Sequence, residues 1–167
     1  MSTLVCLSLG IALSCGLFSL FCHFTGISIW MGFVACTSYF AAGGDGKNAA
    51  FKALASNYTG VAFAMLVITF RDTPLVQEGG ILAPLLMALA TAAISGAMVY
   101  LSKMALLSSI ASTFMGCFST FASGGNWQLM LPSLACGIVL GLCCDNAGKL
   151  IARYWGRKEN NQGNISS

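Results

Sequence analysis

Six apolar runs, Leu4–Cys22, Ile27–Ala42, Ala53–Phe70, Ile81–Ser102, Met104–Ser123 and Leu129–Cys144, fill most of a 167-residue chain. Nothing else in the sequence restricts its fold so tightly. A water-soluble core needs a charged shell, and here only 8% of residues are charged against 57% hydrophobic, with a mean hydropathy of +0.81. Lipid must therefore be the solvent. The runs are continuous and apolar on both faces, whereas a membrane barrel needs alternation, so the predicted fold is all-α and polytopic with six transmembrane helices. A crossing takes about 20 residues, which makes the second and sixth runs short unless their flanks join them. The first run has no Lys or Arg before it and no cleavage site after it, so it is read as a helix rather than a leader.

Charge then sets orientation. With six crossings, Lys47, Lys52, Lys103, Lys149, Arg153, Arg157 and Lys158 fall on one side and Arg71 alone on the other, beside Asp72 and Glu78. The positive-inside rule puts both termini in the cytoplasm. Residues 1–158 form one membrane domain on this reading. The tail after it, residues 159–167, is too polar to pack and is expected to be disordered in the cytoplasm.

The stretch "AAGGDGKN" at 41–48 resembles a nucleotide-binding loop, but it follows a membrane helix and lacks the hydroxyl that holds Mg²⁺. It is read as a turn, because it occurs twice. "FVACTSYFAAGG" at 33–44 and "FMGCFSTFASGG" at 114–125 coincide at a shift of 81, pairing Cys36 with Cys117, Ser38 with Ser119, Gly43 with Gly124 and Gly44 with Gly125. Ser8, Ala12 and Gly16 match Ala88, Ala92 and Gly96 at a shift of 80, and Ser56, Gly60 and Ala64 match Ser133, Gly137 and Gly141 at 77. The halves, about 1–80 and 81–158, thus read as two three-helix repeats. An odd number of crossings inverts the second copy, an arrangement found in transporters. Small residues spaced by four, Gly16, Gly60, Gly96, Gly137 and Gly141 among them, also serve ordinary helix packing.

Two segments, "YFAAGGDGKNAAFKALASNYTG" and "FASGGNWQLMLPSLACGIVLG", resemble the family of enterobacterial inner-membrane proteins that includes YahC and YcdZ. The resemblance runs over nearly the whole chain, as far as Lys158. It implies a bacterial inner-membrane protein and implies no activity.

The chemistry-bearing residues do not form a catalytic set. The one His, His23, lies near the end of the first run, and Asp45, Asp72, Glu78, Asp145 and Glu159 all fall outside the predicted cores. Eight cysteines show no CxxC spacing and read as small apolar groups, and no metal, cofactor or nucleic acid is expected. The sequons at Asn57 and Asn164 lie in a membrane run and in the tail. Ser38, Asn57, Tyr58, Thr59, Ser112, Thr113, Ser119, Asn126 and Ser133 are the candidate lining of a solute path, suited by their hydroxyls and amides to an uncharged molecule. Two function classes follow: a channel or facilitator for a small polar solute, or a non-transporting scaffold or accessory subunit that docks through its small-residue faces. Enzymatic function is not expected, because no acid–base constellation is present. A protomer of 17.4 kDa has little room for a lumen of its own, so a homo-oligomer in the bilayer is expected.

Overall fold

The computed structural model describes the backbone of residues 3–163 and the side chains of residues 4–155. The described residues are helical, without strands, in the order α1 (Thr3–Thr25), α2 (Ile29–Ala41), α3 (Gly46–Arg71), the single turn α4 (Pro74–Gln77), α5 (Leu82–Leu101), a 3-10 turn (Ala105–Leu107), α6 (Ile110–Ala122) and α7 (Trp127–Gly163). Four stretches are long and apolar enough to cross a membrane: Leu4–Thr25, Gly46–Arg71, Leu82–Leu101 and Trp127–Trp155. The expected six become four long helices and two short ones. At 13 residues each, α2 and α6 are about 20 Å long against a hydrocarbon thickness of about 30 Å.

The run Met104–Ser123 does not form one helix as expected. Its first residues make the 3-10 turn, and α6 restarts at the N-cap Ser109, whose hydroxyl accepts from the Ser112 amide at 3.4 Å. Leu129–Cys144, expected to be short, lies instead within the 37-residue α7. That helix begins before Pro132, which therefore sits inside it, and continues to Gly163, beyond the Lys158 boundary expected from composition. Residues 164–167 of the expected tail lie outside the described residues.

Both short helices stop in the same way. The Gly44 amide donates to Tyr39 C=O and the Gly43 amide to Phe40 C=O, each at 3.1 Å, while Gly125 donates to Thr120 C=O at 3.0 Å and Gly124 to Phe121 C=O at 3.1 Å. These are paired Schellman bonds, which need a left-handed backbone after the last helical residue. Gly43, Gly44, Gly124 and Gly125 have φ of 117°, 58°, 65° and 83°, a region that residues bearing a Cβ avoid.

Packing joins the halves crosswise. Helix α3 packs most extensively on α6, and α2 on α7. A Cβ on Gly60 would collide with the Thr113 carbonyl oxygen, and one on Gly116 with the Asn57 carbonyl oxygen. On the other side, a Cβ on Gly137 would strike the Gly32 carbonyl oxygen, and one on Gly141 would lie 2.6 Å from Tyr39 Cβ. Helix α1 lies along α7, with Gly10 against Gly148, whereas α5 is peripheral and buries only Met98. Gly16 and Gly96 correct the packing expectation: among the described residues no other part of the chain lies within 4 Å of the Cβ position of either, because their helices turn that face outward. The outer surface is accordingly apolar, with Leu4 75%, Leu13 68% and Leu89 60% exposed, and polar side chains lie within.

Gly137→Val should therefore lower stability by about 1–3 kcal/mol or more through overpacking against α2, while Gly16→Val should stay within about 0.5 kcal/mol of the parent. Unfolding midpoints in detergent report both.

Candidate functional site

Where α2 and α6 meet α3, the hydroxyls and amides form a seam with no charged member. Ser38 Oγ donates to Asn57 Oδ1 at 2.9 Å and lies 3.1 Å from Met115 Sδ. Ser112 Oγ donates to the Ser38 carbonyl oxygen at 3.0 Å, so its 2.6 Å contact with Ser109 Oγ is one in which Ser109 donates. Thr113 Oγ1 turns back to the Ser109 carbonyl oxygen at 3.3 Å. Ser38, Ser56, Asn57, Ser112 and Ser119 have no exposed surface. Three polar atoms among them, Ser56 Oγ, Asn57 Nδ2 and Ser119 Oγ, have no hydrogen-bond partner among the described residues. Orphans of this kind cost about 1–3 kcal/mol each when dry, so a native fold that keeps three holds them for a reason.

The candidate residues divide. Ser38, Asn57, Ser112 and Thr113 come together, with Ser119 buried on the same short helix as the last two. Ser133 is buried but anchors the start of α2, accepting from the Ser28 amide at 3.3 Å and donating to Leu129 C=O at 2.7 Å. Tyr58 donates to the Leu131 carbonyl oxygen at 3.0 Å, tying α3 to α7. Thr59 bonds back to Ala55 C=O and faces an outer groove. Asn126 is exposed and caps α7, accepting from the Leu129 amide at 3.3 Å. Sequence reasoning missed Ser56, Ser109 and Thr120. The first was legible from its alignment with Ser133 at a shift of 77, whereas the helix start at Ser109 was hidden inside an unbroken apolar run.

Two apolar grooves open outward. One, about 360 Å³, runs between α1 and α7 and includes Phe18, Cys136, Val139, Leu140 and Cys143; the other, about 400 Å³, runs between α3 and α5 and includes Thr59, Ala62, Phe63 and Leu66. In the sequence, Thr59, Ala62, Phe63 and Leu66 stand 77 residues before Cys136, Val139, Leu140 and Cys143.

A second polar group lies where α2 ends and α3 begins. Tyr39 Oη accepts from the Gly46 amide at 2.9 Å and donates to Asp145 Oδ2 at 3.0 Å. Lys149 Nζ lies 2.8 Å from Asp145 Oδ2 and 3.2 Å from Asp45 Oδ1. Asp145 was expected outside the packed helices, yet it is only 7% exposed, because α7 runs past Cys144 and carries it against the end of α2. Cys36 and Cys117 are both buried, and all eight cysteines are free thiols.

Residues 8–149 match the model of the DUF1097 family, described as a protein of unknown function. The chain belongs to the DUF1097 family. It is 34% identical to the inner membrane protein YcdZ of Escherichia coli (strain K12) over 151 residues, covering 86% of this chain and 87% of the relative. To the inner membrane protein YcdZ of Salmonella typhimurium it is 32% identical, covering 84% and 82% of the two chains. To the uncharacterized protein YahC of Escherichia coli (strain K12) it is 34% identical, covering 77% and 72%. No solved structure matches. The DUF1097 match takes in the whole polar seam, the close glycine contacts, Asp145 and Lys149.

If the seam is held by the Ser38–Asn57 bond, Ser38→Ala should destabilise the DUF1097 protein by about 1–3 kcal/mol, since it leaves buried Asn57 oxygen without its donor. Adding Asn57→Leu should recover part of that loss. A double-mutant cycle on detergent unfolding should give a coupling of about 1 kcal/mol.

Proposed function

We propose that the protein is an inner-membrane facilitator for a small uncharged polar solute, built from two inverted three-helix repeats. The observation that carries this reading is the seam itself. A bundle with an apolar exterior keeps Ser38, Ser56, Asn57, Ser112 and Ser119 fully buried on α2, α3 and α6, three of them with a polar atom that has no partner among the described residues, and Ser38, Asn57 and Ser112 are bonded where the three helices meet. Polar groups within membrane proteins are costly and concentrate at functional sites, and non-spanning helices at membrane depth need protein or a water-filled path around them. With no charge in the seam, selection falls to hydrogen bonding and size.

Support for the repeat comes from α2 and α6, which have the same length, begin 81 residues apart and end in the same pair of bonds. The crosswise packing of α3 on α6 and α2 on α7 is what two copies related by a twofold axis would give. Support for an orientation with both termini in the cytoplasm comes from Gly10 against Gly148 and from the Lys149–Asp45 contact. These gather the start of α1, the α2–α3 turn and the basic end of α7 at one end of the bundle. The names of the YcdZ relatives support the inner membrane as location.

The scaffold reading keeps one observation of its own. The small-residue rows Ser8, Ala12, Gly16 and Ala88, Ala92, Gly96 all face outward, which suits contact with a second copy or another membrane helix.

Stopped-flow osmotic swelling of proteoliposomes against neutral solutes and weak-acid anions separates the two. Selective acceleration by neutral solutes, abolished in folded Ser38→Trp and Ser119→Trp proteins and reduced in Ser119→Val, is the expected result. Swelling no faster than in empty vesicles, with insertion confirmed, would leave the scaffold reading.

A further inference from the structure

The ionic cluster around Asp145 breaks the internal symmetry of the chain. At the shifts that align the repeats, Tyr39 corresponds to Thr120, Asp145 to Ile68 and Lys149 to Asp72. None of the cluster's four contacts has a counterpart among the described residues. At the equivalent end, Thr120 Oγ1 turns back to its own helix at Gly116 C=O, 2.8 Å away, and the Ile68 side chain packs 3.2 Å from the Cβ position of Gly125. One end of the bundle is thus closed by charge-assisted bonds and the other by apolar contact.

The bonded end also carries a glycine-rich turn. Three glycines with positive φ, Gly43, Gly44 and Gly46, fall within four residues, and nothing lies within 4 Å of the Cβ positions of Gly43 and Gly46. Tyr39 and Asp45 tie this turn to α7. Asp145 is nearly buried, whereas the Lys149 side chain is 48% and the Asp45 side chain 91% exposed. Separating Lys149 from Asp145 would leave a nearly buried carboxylate without its cation, a costly state relieved by admitting water. The cluster should therefore hold or release as a unit.

We propose that Tyr39, Asp145 and Lys149 form a latch that pins the α2–α3 turn to α7, so that the bundle opens to water at this end when the latch releases and not at the repeat-equivalent end. The latch does not depend on whether a solute crosses, and native thiols report it directly. Cys36 lies one turn before Tyr39 and packs with Cys144, the neighbour of Asp145, whereas its repeat partner Cys117 packs with Ala64 and Met98, away from this cluster.

The test is the rate of N-ethylmaleimide labelling of the full chain in liposomes, resolved by peptide mass spectrometry at Cys36 and Cys117. Tyr39→Phe, which removes one hydroxyl and leaves the ring, and Asp145→Asn, which removes the charge, should each raise the Cys36 rate roughly tenfold. Lys149→Gln should do the same, and Cys117 should not change in any of them. An unchanged Cys36 rate in folded variants would overturn the latch, and so would equal increases at Cys36 and Cys117, which mark general loosening.

Discussion

The closeness with which backbone meets backbone at Gly60, Gly116 and Gly137 governs the remaining architecture. In lipid, apolar side chains gain nothing by leaving the solvent for each other, so helices associate through packing and hydrogen bonds, both of which strengthen at short range. With no Cβ in the way, α3 seats directly on α6 and α7 on α2. Each long helix thereby holds the short helix of the opposite half. The short helices do not reach across a bilayer by themselves, and their positions depend on these contacts.

That approach also makes the polar seam. Asn57 lies at the crossing itself, with its backbone against Gly116 of α6 and its side chain on Ser38 of α2, whose carbonyl oxygen in turn accepts from Ser112 of α6, so polar groups of all three helices come together there. Burying an amide and several hydroxyls stabilises a bundle only where their bonds are complete, and here Ser56, Asn57 and Ser119 leave theirs incomplete. Packing and chemistry pull in different directions at this place, as they do at functional sites. The ionic group at Asp145 has the opposite character, with Tyr39 and Lys149 both bonded to its carboxylate.

Much of this was legible in the residues and some of it could not be. Apolar runs and scarce charge carried the class of fold, because both follow from the solvent. The duplicated Gly-Gly turn carried the ends of α2 and α6, because a left-handed backbone demands those residues. Hydropathy could not show that Met104–Ser123 breaks at Ser109 or that α7 continues past Cys144, since a helix end inside an apolar run leaves composition unchanged. Spacing by four identified Gly60, Gly137 and Gly141 as contacts but gave Gly16 and Gly96 the same standing, since a spacing does not say which face has a partner. In the seam, Ser38, Asn57, Ser112 and Thr113 followed from their chemistry. Asn126 and Thr59 have that chemistry too, but serve a helix cap and an outer groove. The burial of Asp145 was hidden because the apolar run stops one residue before it.

The most direct measurement of the central claim, that each short helix is held by the long helix of the other half, is magic-angle-spinning NMR on the uniformly labelled protein in bilayers. Through-space correlations should connect Gly60 with Thr113 and Gly137 with Gly32, the close approaches across the halves. Absence of both, with each short helix correlated only to helices of its own half, would contradict the crosswise packing and with it the seam.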